Sequence, residues 1–232
     1  MKRWRKVFVG GTVGMTIFGL VLSMLHQSTL GALFLTVPTK LHPLWYSPYI
    51  PLHFFLSSAM GGISMVILVG MLSKRIFSDK MEISRETLDK LTVGLAKGAA
   101  IALAVYFAVK LVDLSIAGKW HYLFTPTGVW FLVEVLGFVL LPCLLFAHGH
   151  REKNPRLIRF TALLTVLGII LNRINIAIVV FNYDLPAAER YVPHWMEYVV
   201  VLTLITGGVA VFKWIVQRMP VLHDHPDYKA SH

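Results

Sequence analysis

Six apolar stretches alternate with short polar segments along the chain, at roughly 7–35, 50–73, 92–116, 128–147, 157–181 and 196–216. About 20 residues of helix cross a hydrocarbon layer ~30 Å thick, so each stretch predicts one transmembrane helix. Lipid offers the backbone no hydrogen-bond partner, and the expected fold class is an all-α integral membrane bundle. Neither a repeat nor a linker interrupts the pattern. Residues 1–216 therefore read as one six-helix transmembrane domain, and 217–232 as a polar cytoplasmic tail.

The segments between the stretches set the orientation. Lys2, Arg3, Arg5 and Lys6 precede the first stretch, and Lys74, Arg75, Lys80, Arg85 and Lys90 follow the second. Arg151, Lys153, Arg156 and Arg159 follow the fourth, and Lys213, Arg218 and Lys229 end the chain. The opposite loops, 36–49, 117–127 and 182–195, hold only Lys40, Lys119 and Arg190. Cations accumulate on the cytoplasmic side, so both termini are expected there. The opposite loops are instead rich in aromatic residues (Trp45, Tyr46, Tyr49, Trp120, Tyr122, Tyr191, Trp195), as expected of an interfacial belt. MKRWRK and its apolar run also have the outline of a signal peptide, but the run continues well past a typical h-region and is read as retained.

Composition narrows the chemistry. The 232 residues are 56% hydrophobic and 15% charged, with mean hydropathy +0.66. The formal charge of +10 is accounted for by orientation, so membrane lipid rather than nucleic acid is the expected contact. A single cysteine, Cys143, excludes an iron–sulfur set, a CxxC zinc site and covalent haem attachment. A transmembrane b-type haem needs two histidines at one depth on facing helices. His26, His53, His148 and His150 do not offer that pairing, so no haem and no metal site is expected in this chain.

Ionisable groups at membrane depth are costly, about 2.5–3.5 kcal/mol each on insertion scales, and mark function or mutual pairing. At ~1.5 Å per residue, Glu197, His53, Asp113, Lys110, Glu134, Arg173 and His26 all fall within about 15 Å of the outer boundary. Lys97 alone sits toward the cytoplasmic end, where its side chain can snorkel. Lys110 and Asp113 are three apart and predicted to pair; Arg173 is predicted to face Glu134 or Glu197. Asn172, Arg173 and Asn175 make a polar knot on the fifth stretch, and His26, Gln27 and Ser28 another on the first. Imidazole titrates near physiological pH, which makes His26 a proton-exchange candidate. Such groups serve either as static ties between helices or as a polar pocket and proton path open to the outer face. The tail histidines His223 and His225 belong to a solvated end.

LHQSTLGALFLTVPTKLHPLWYSP, WFLVEVLGFVLLP and LNRINIAIVVFNYD…YVPHWMEY resemble the NrfD/PsrC family of polysulfide-reductase-type membrane subunits. The likeness is greatest to the HybB-like branch associated with periplasmic nickel–iron hydrogenases, and it runs over nearly all of 1–216. The resemblance implies a haem-free quinone-binding subunit that exchanges electrons with a periplasmic iron–sulfur or multihaem partner, in some relatives within complexes proposed to move protons. It also implies that His26, Glu134, Arg173 and Glu197 occupy the family's buried polar positions, and that Lys110 and Asp113 match a basic–acidic pair. Family members commonly have eight or more helices, and this chain matches their later part. Either a further small membrane subunit supplies the remainder, which is the favoured reading, or the quinone binds differently here, or the chain keeps only the scaffolding and proton-path half.

The expected function is the membrane subunit of a respiratory oxidoreductase in the bacterial inner membrane, working at its periplasmic face with quinone, menaquinone first. It would act as part of an enzyme complex rather than alone. His26, Asp113, Glu134 and Arg173 are expected to carry the chemistry, and His26, Gln27, Ser28, His42, Trp45, Lys110, Asn172 and Glu197 to contact the quinone. A transporter would need two related halves with broken helices, and no such symmetry is visible. A structural anchor or proton-conducting subunit without its own quinone site is the alternative.

Overall fold

A computed structural model describes residues 2–76, 84–186 and 189–218. Lys80, the tail with His223 and His225, and Lys229 lie outside the described residues. The helices are α1 (Lys2–Ala32), α2 (Ile50–Ile76), α3 (Arg85–Ile116), α4 (Pro126–Leu132), α5 (Leu141–Arg151), α6 (Pro155–Ile174) and α7 (Trp195–Arg218). A π-helical stretch, Val133–Leu140, joins α4 to α5 without a break, and a second, Asn175–Val179, extends α6. α4 and α5 thus form one crossing, and among the described residues six helices are long and apolar enough to span a membrane. Among the described residues there is no strand, only an antiparallel bridge between Leu41 and Phe181.

Four of the crossings close a ring in which α2 packs on α3, α3 on α5, α5 on α6 and α6 back on α2. Lipid is as apolar as leucine, so these contacts rest on close packing of small residues. Ala96, Ala99 and Ala162 are fully covered, and a Cβ at Gly168 or Gly149 would stand 2.6 Å from the Phe138 side chain or 2.8 Å from Ile158. α1 lies outside the ring against α2, with Gly31 on the Phe54 ring. α7 buries only Val216 and shares at most marginal contact with the rest of the described structure.

The first π-helical stretch has a local cause. Pro142, in the first turn of α5, brings no N–H, so the Phe138 carbonyl one turn earlier loses its usual donor and the ring crowds that turn, where the helix widens. At the same end the 36–49 loop folds into the mouth of the ring, burying Leu41, His42, Leu44, Trp45 and Ser47. It is held there by His42 N–H on Val180 O at 3.2 Å and by Lys119 Nζ on Tyr46 O at 2.7 Å. Gly118 turns the chain before Lys119 at φ 62°, a conformation glycine adopts without penalty. This corrects one expectation: Trp45 is 1% exposed and belongs to the core, whereas Tyr49, Trp120, Tyr191 and Trp195 are exposed as belt residues should be.

Candidate functional site

Glu134 is the centre of the buried polar structure. It opens the first π-helical stretch, is 4% exposed, and accepts from three donors on three segments. Trp45 Nε1 donates to Oε2 at 3.0 Å, Asn172 Nδ2 donates to Oε1 at 2.6 Å, and Asn175 Nδ2 donates to Oε2. Asn175 opens the second π-helical stretch and also accepts from Trp130 Nε1 at 3.2 Å. π-Bulges turn side chains that a regular helix would point elsewhere and are frequent at functional sites. Here two of them face one carboxyl group.

Arg173 reaches the same acid through an intermediary. Its Nη1 donates to Asn172 Oδ1 at 3.0 Å, its Nη2 donates to Ser57 Oγ at 2.6 Å, and its guanidinium lies 3.4 Å from the Phe54 ring centroid. The expectation that Arg173 faces Glu134 or Glu197 is met by neither directly: the amide of Asn172 stands between Arg173 and Glu134, and Glu197 accepts from Tyr191 and the His194 N–H instead. Lys110 and Asp113 also depart from the expected pair, since no ion pair joins them among the described residues. Asp113 accepts from the buried Ser47 Oγ at 2.7 Å, because the inward-folded loop brings that hydroxyl to it first. Lys110, 5% exposed, holds its ammonium 5.5 Å from the Phe131 ring centroid.

The polar groups therefore form a track from Asp113 past Lys110 to Glu134, Asn172 and Arg173. Its inner end lines a cavity with Ser57 and Tyr106 of about 10 Å³, room for the centre of about one water molecule. Its outer end meets a half-open apolar groove of about 340 Å³ on the surface between α2 and α3, lined by Tyr49, Leu52, Ala108, Val109, Val112 and Ile116, with the buried Asp113 at its wall. A slot of that size and apolar character suits a small organic ring; the inner cavity does not. His53 stands near the track, 4% exposed and edge-on to Tyr106, and neither of its ring nitrogens has a hydrogen-bond partner.

His42 is packed rather than open. Its Nδ1 accepts from the Leu44 N–H at 3.2 Å and its Nε2 lies 3.1 Å from Thr127 Oγ1, with Tyr183, Trp45 and Tyr122 edge-on around the ring. Burial holds its pKa below the ordinary histidine value, so the ring is neutral with the proton on Nε2. Burial likewise lowers Lys119, with the Asp113 carboxylate acting in the opposite direction.

The remaining expected residues stand apart. His26 is exposed on α1, with Gln27 and Ser28 half-buried beside it, because α1 covers only the stripe it turns to α2. Glu197 is exposed at the start of α7, where it accepts from Tyr191 and from the His194 N–H. Ser47, Ser57, Tyr106 and Trp130 join the site without having been anticipated. A serine or tyrosine in an apolar stretch carries no signal until a neighbouring helix supplies its partner.

Comparison with known proteins gives this geometry a lineage. The family model described as polysulphide reductase, NrfD, matches residues 2–183. A protein of Nitratidesulfovibrio vulgaris strain Hildenborough is 49% identical over 233 aligned residues, covering 100% of this chain and 60% of that protein. The probable Ni/Fe-hydrogenase 2 b-type cytochrome subunit of Escherichia coli K12 is 25% identical over 221 residues, covering 92% of this chain and 55% of the relative. The chain thus spans little more than half the length of these relatives. No solved structure matches it significantly. With the family model covering most of its length, the chain belongs to the polysulphide reductase NrfD family.

Proposed function

We propose that this protein is the quinone-interacting membrane subunit of a respiratory oxidoreductase complex in the bacterial inner membrane. It exchanges electrons between menaquinone and a periplasmic iron–sulfur or multihaem subunit seated over the loop end of the bundle. The observation that supports the reading is the placement of Asp113 in the wall of the apolar α2–α3 groove, with Lys110 buried three residues before it on the same helix and Glu134 buried on the crossing packed against α3. In this reading Tyr49, Leu52, Ala108 and Val112 hold the head group and Asp113 exchanges a proton with it. Bound quinol supplies two electrons and two protons to the reaction.

Ser47 orients the Asp113 carboxyl, and Lys110 offsets the charge of both acids in a site shielded from bulk water. Glu134 is the next proton acceptor inward, held in place by Trp45, Asn172 and Asn175, while Arg173 orients Asn172. The water-sized cavity beside Tyr106 favours proton movement rather than quinone binding at that inner end. His26, exposed on α1 with the half-buried Gln27 and Ser28 beside it, is assigned to contact with a further small membrane subunit rather than with the head group.

Filling the slot tests this. Ala108→Trp in the native complex is expected to cut quinol-linked electron transfer by about tenfold or more, mainly through KM, while the complex stays assembled. An unchanged KM and rate would contradict the slot assignment and leave a structural anchor or proton-conducting subunit.

A further inference from the structure

The opposite end of the bundle carries a second built site, unrelated to the acid track. Lys74 and Arg75 at the end of α2, Arg85 and Asp89 at the start of α3, and Arg156 and Arg159 at the start of α6 surround a cup of about 590 Å³. Five of these six groups are cationic. Asp89 accepts from Arg159 Nη2, which fixes the guanidinium, yet Arg159 Nε is buried with no hydrogen-bond partner. The pull of the cup on an anion rests on its five cations against one acid. The N-terminal ends of α3 and α6 open on the same cup and add positive potential.

The cup continues into a groove. A second cavity, of about 220 Å³, shares Met71, Leu88 and Arg159 with it and runs along α2 and α3 past Val66, Gly70, Leu91 and Leu95. Nothing lies within 4 Å of where a Cβ on Gly70 would stand, so the groove stays open at that position. A cationic cup joined to a narrow apolar channel at one end of a transmembrane bundle has the two chemistries of a phospholipid, a phosphate and an acyl chain. Basic pockets between transmembrane helices are recognised by anionic head groups, each cation adding to the attraction.

We propose that this site binds one anionic glycerophospholipid, with its phosphate in the Arg75–Arg85–Arg156–Arg159 cup and an acyl chain in the groove past Gly70. The full-length protein, purified in detergent, is titrated with phosphatidylglycerol, with phosphatidylcholine of the same acyl chains, and with inorganic phosphate, and bound lipid is read by native mass spectrometry. Phosphatidylglycerol is expected to bind at least tenfold more tightly than phosphatidylcholine. Replacing Arg75, Arg85 and Arg156 together by glutamine is expected to reduce its affinity about fivefold per arginine, on the order of a hundredfold in all. Lysine at the same three positions should retain most of the affinity, which separates lost charge from lost fold. Gly70→Leu, which fills the groove and leaves the charges in place, should weaken the lipid severalfold.

Equal binding of the two lipids by the unaltered protein would overturn the proposal. So would an undiminished preference in the glutamine variant. Displacement of the lipid by inorganic phosphate, together with unchanged affinity in Gly70→Leu, would identify a phosphate site without an acyl groove and would equally overturn it.

Discussion

Trp45 donates its indole N–H to the Glu134 carboxyl at 3.0 Å, so a loop residue outside every predicted span holds the acid at the heart of the bundle, 89 residues away in sequence. The loop is therefore part of the site. Trp45→Phe removes the donor and, because the smaller ring leaves part of the indole's buried space empty, adds a cavity beside Phe131, while Asn175 still donates to the same carboxyl oxygen. The expected cost is at least about 1–3 kcal/mol, from the lost hydrogen bond to a charged group together with the cavity. Thermal unfolding in detergent measures it, and an unchanged transition would show that the bond is dispensable.

Arg173 is planar in what it does: two N–H groups reach Asn172 and Ser57 while the guanidinium lies on Phe54. A lysine keeps the charge but offers neither the fork nor the flat face. Arg173→Lys is accordingly expected to behave much like Arg173→Gln, each lowering quinol-linked turnover by about tenfold or more through misplacement of Asn172. Near-normal turnover in the lysine variant would mean that charge alone matters there.

Close packing at the loop end predicts a sharp contrast between two glycines. A Cβ at Gly128 would stand 2.2 Å from the Tyr122 carbonyl oxygen, and backbone cannot yield cheaply. Nothing lies within 4 Å of a Cβ at Gly94, in the interior of α3. Gly128→Ala is expected to cost more than about 3 kcal/mol, and Gly94→Ala to be neutral or to stabilise by up to about 1 kcal/mol. Melting temperatures of the two variants check this, and equal values would contradict it.

His42 makes stability depend on pH. Its native pKa lies below the ordinary 6.5, so the unfolded chain takes up the proton first as pH falls. The stabilising contribution is fully present above pH 6.5 and is lost as pH drops through that value toward the lower native one. Protonation also ends the acceptor role of Nδ1 toward the Leu44 N–H. Unfolding temperatures between about pH 5 and pH 8 should fall on the acid side, and His42→Asn, whose amide oxygen can replace Nδ1, should flatten the curve. The same slope in the variant would assign the effect elsewhere.

The crossings were legible because lipid forces long apolar runs and admits few other folds; each expected stretch corresponds to a helical crossing. Asn172, Arg173, Asn175 and Glu134 were legible as costly polar groups, and they do converge. Their pairing was not, because spacing along one helix places Lys110 near Asp113 but says nothing of a loop serine arriving from 66 positions away. His26 met every sequence criterion and still faces outward, since burial of a residue on α1 depends on which stripe packs against α2. Trp45 looked like a belt residue for the same reason: the inward fold of its loop depends on partners distant in sequence.

The quinone reading joins these threads, and one measurement bears on it most directly: single-turnover quinol oxidation by the purified native complex carrying Glu134→Gln or Asp113→Asn. Each substitution preserves shape and most hydrogen bonding while removing the ability to exchange a proton at the carboxyl. With the complex shown to be intact, the expected result is a rate loss of about 10²–10⁴-fold for either variant, as for removal of a positioned proton acceptor. Wild-type rates in both variants would contradict the assignment and reduce the buried track to a set of ties between helices.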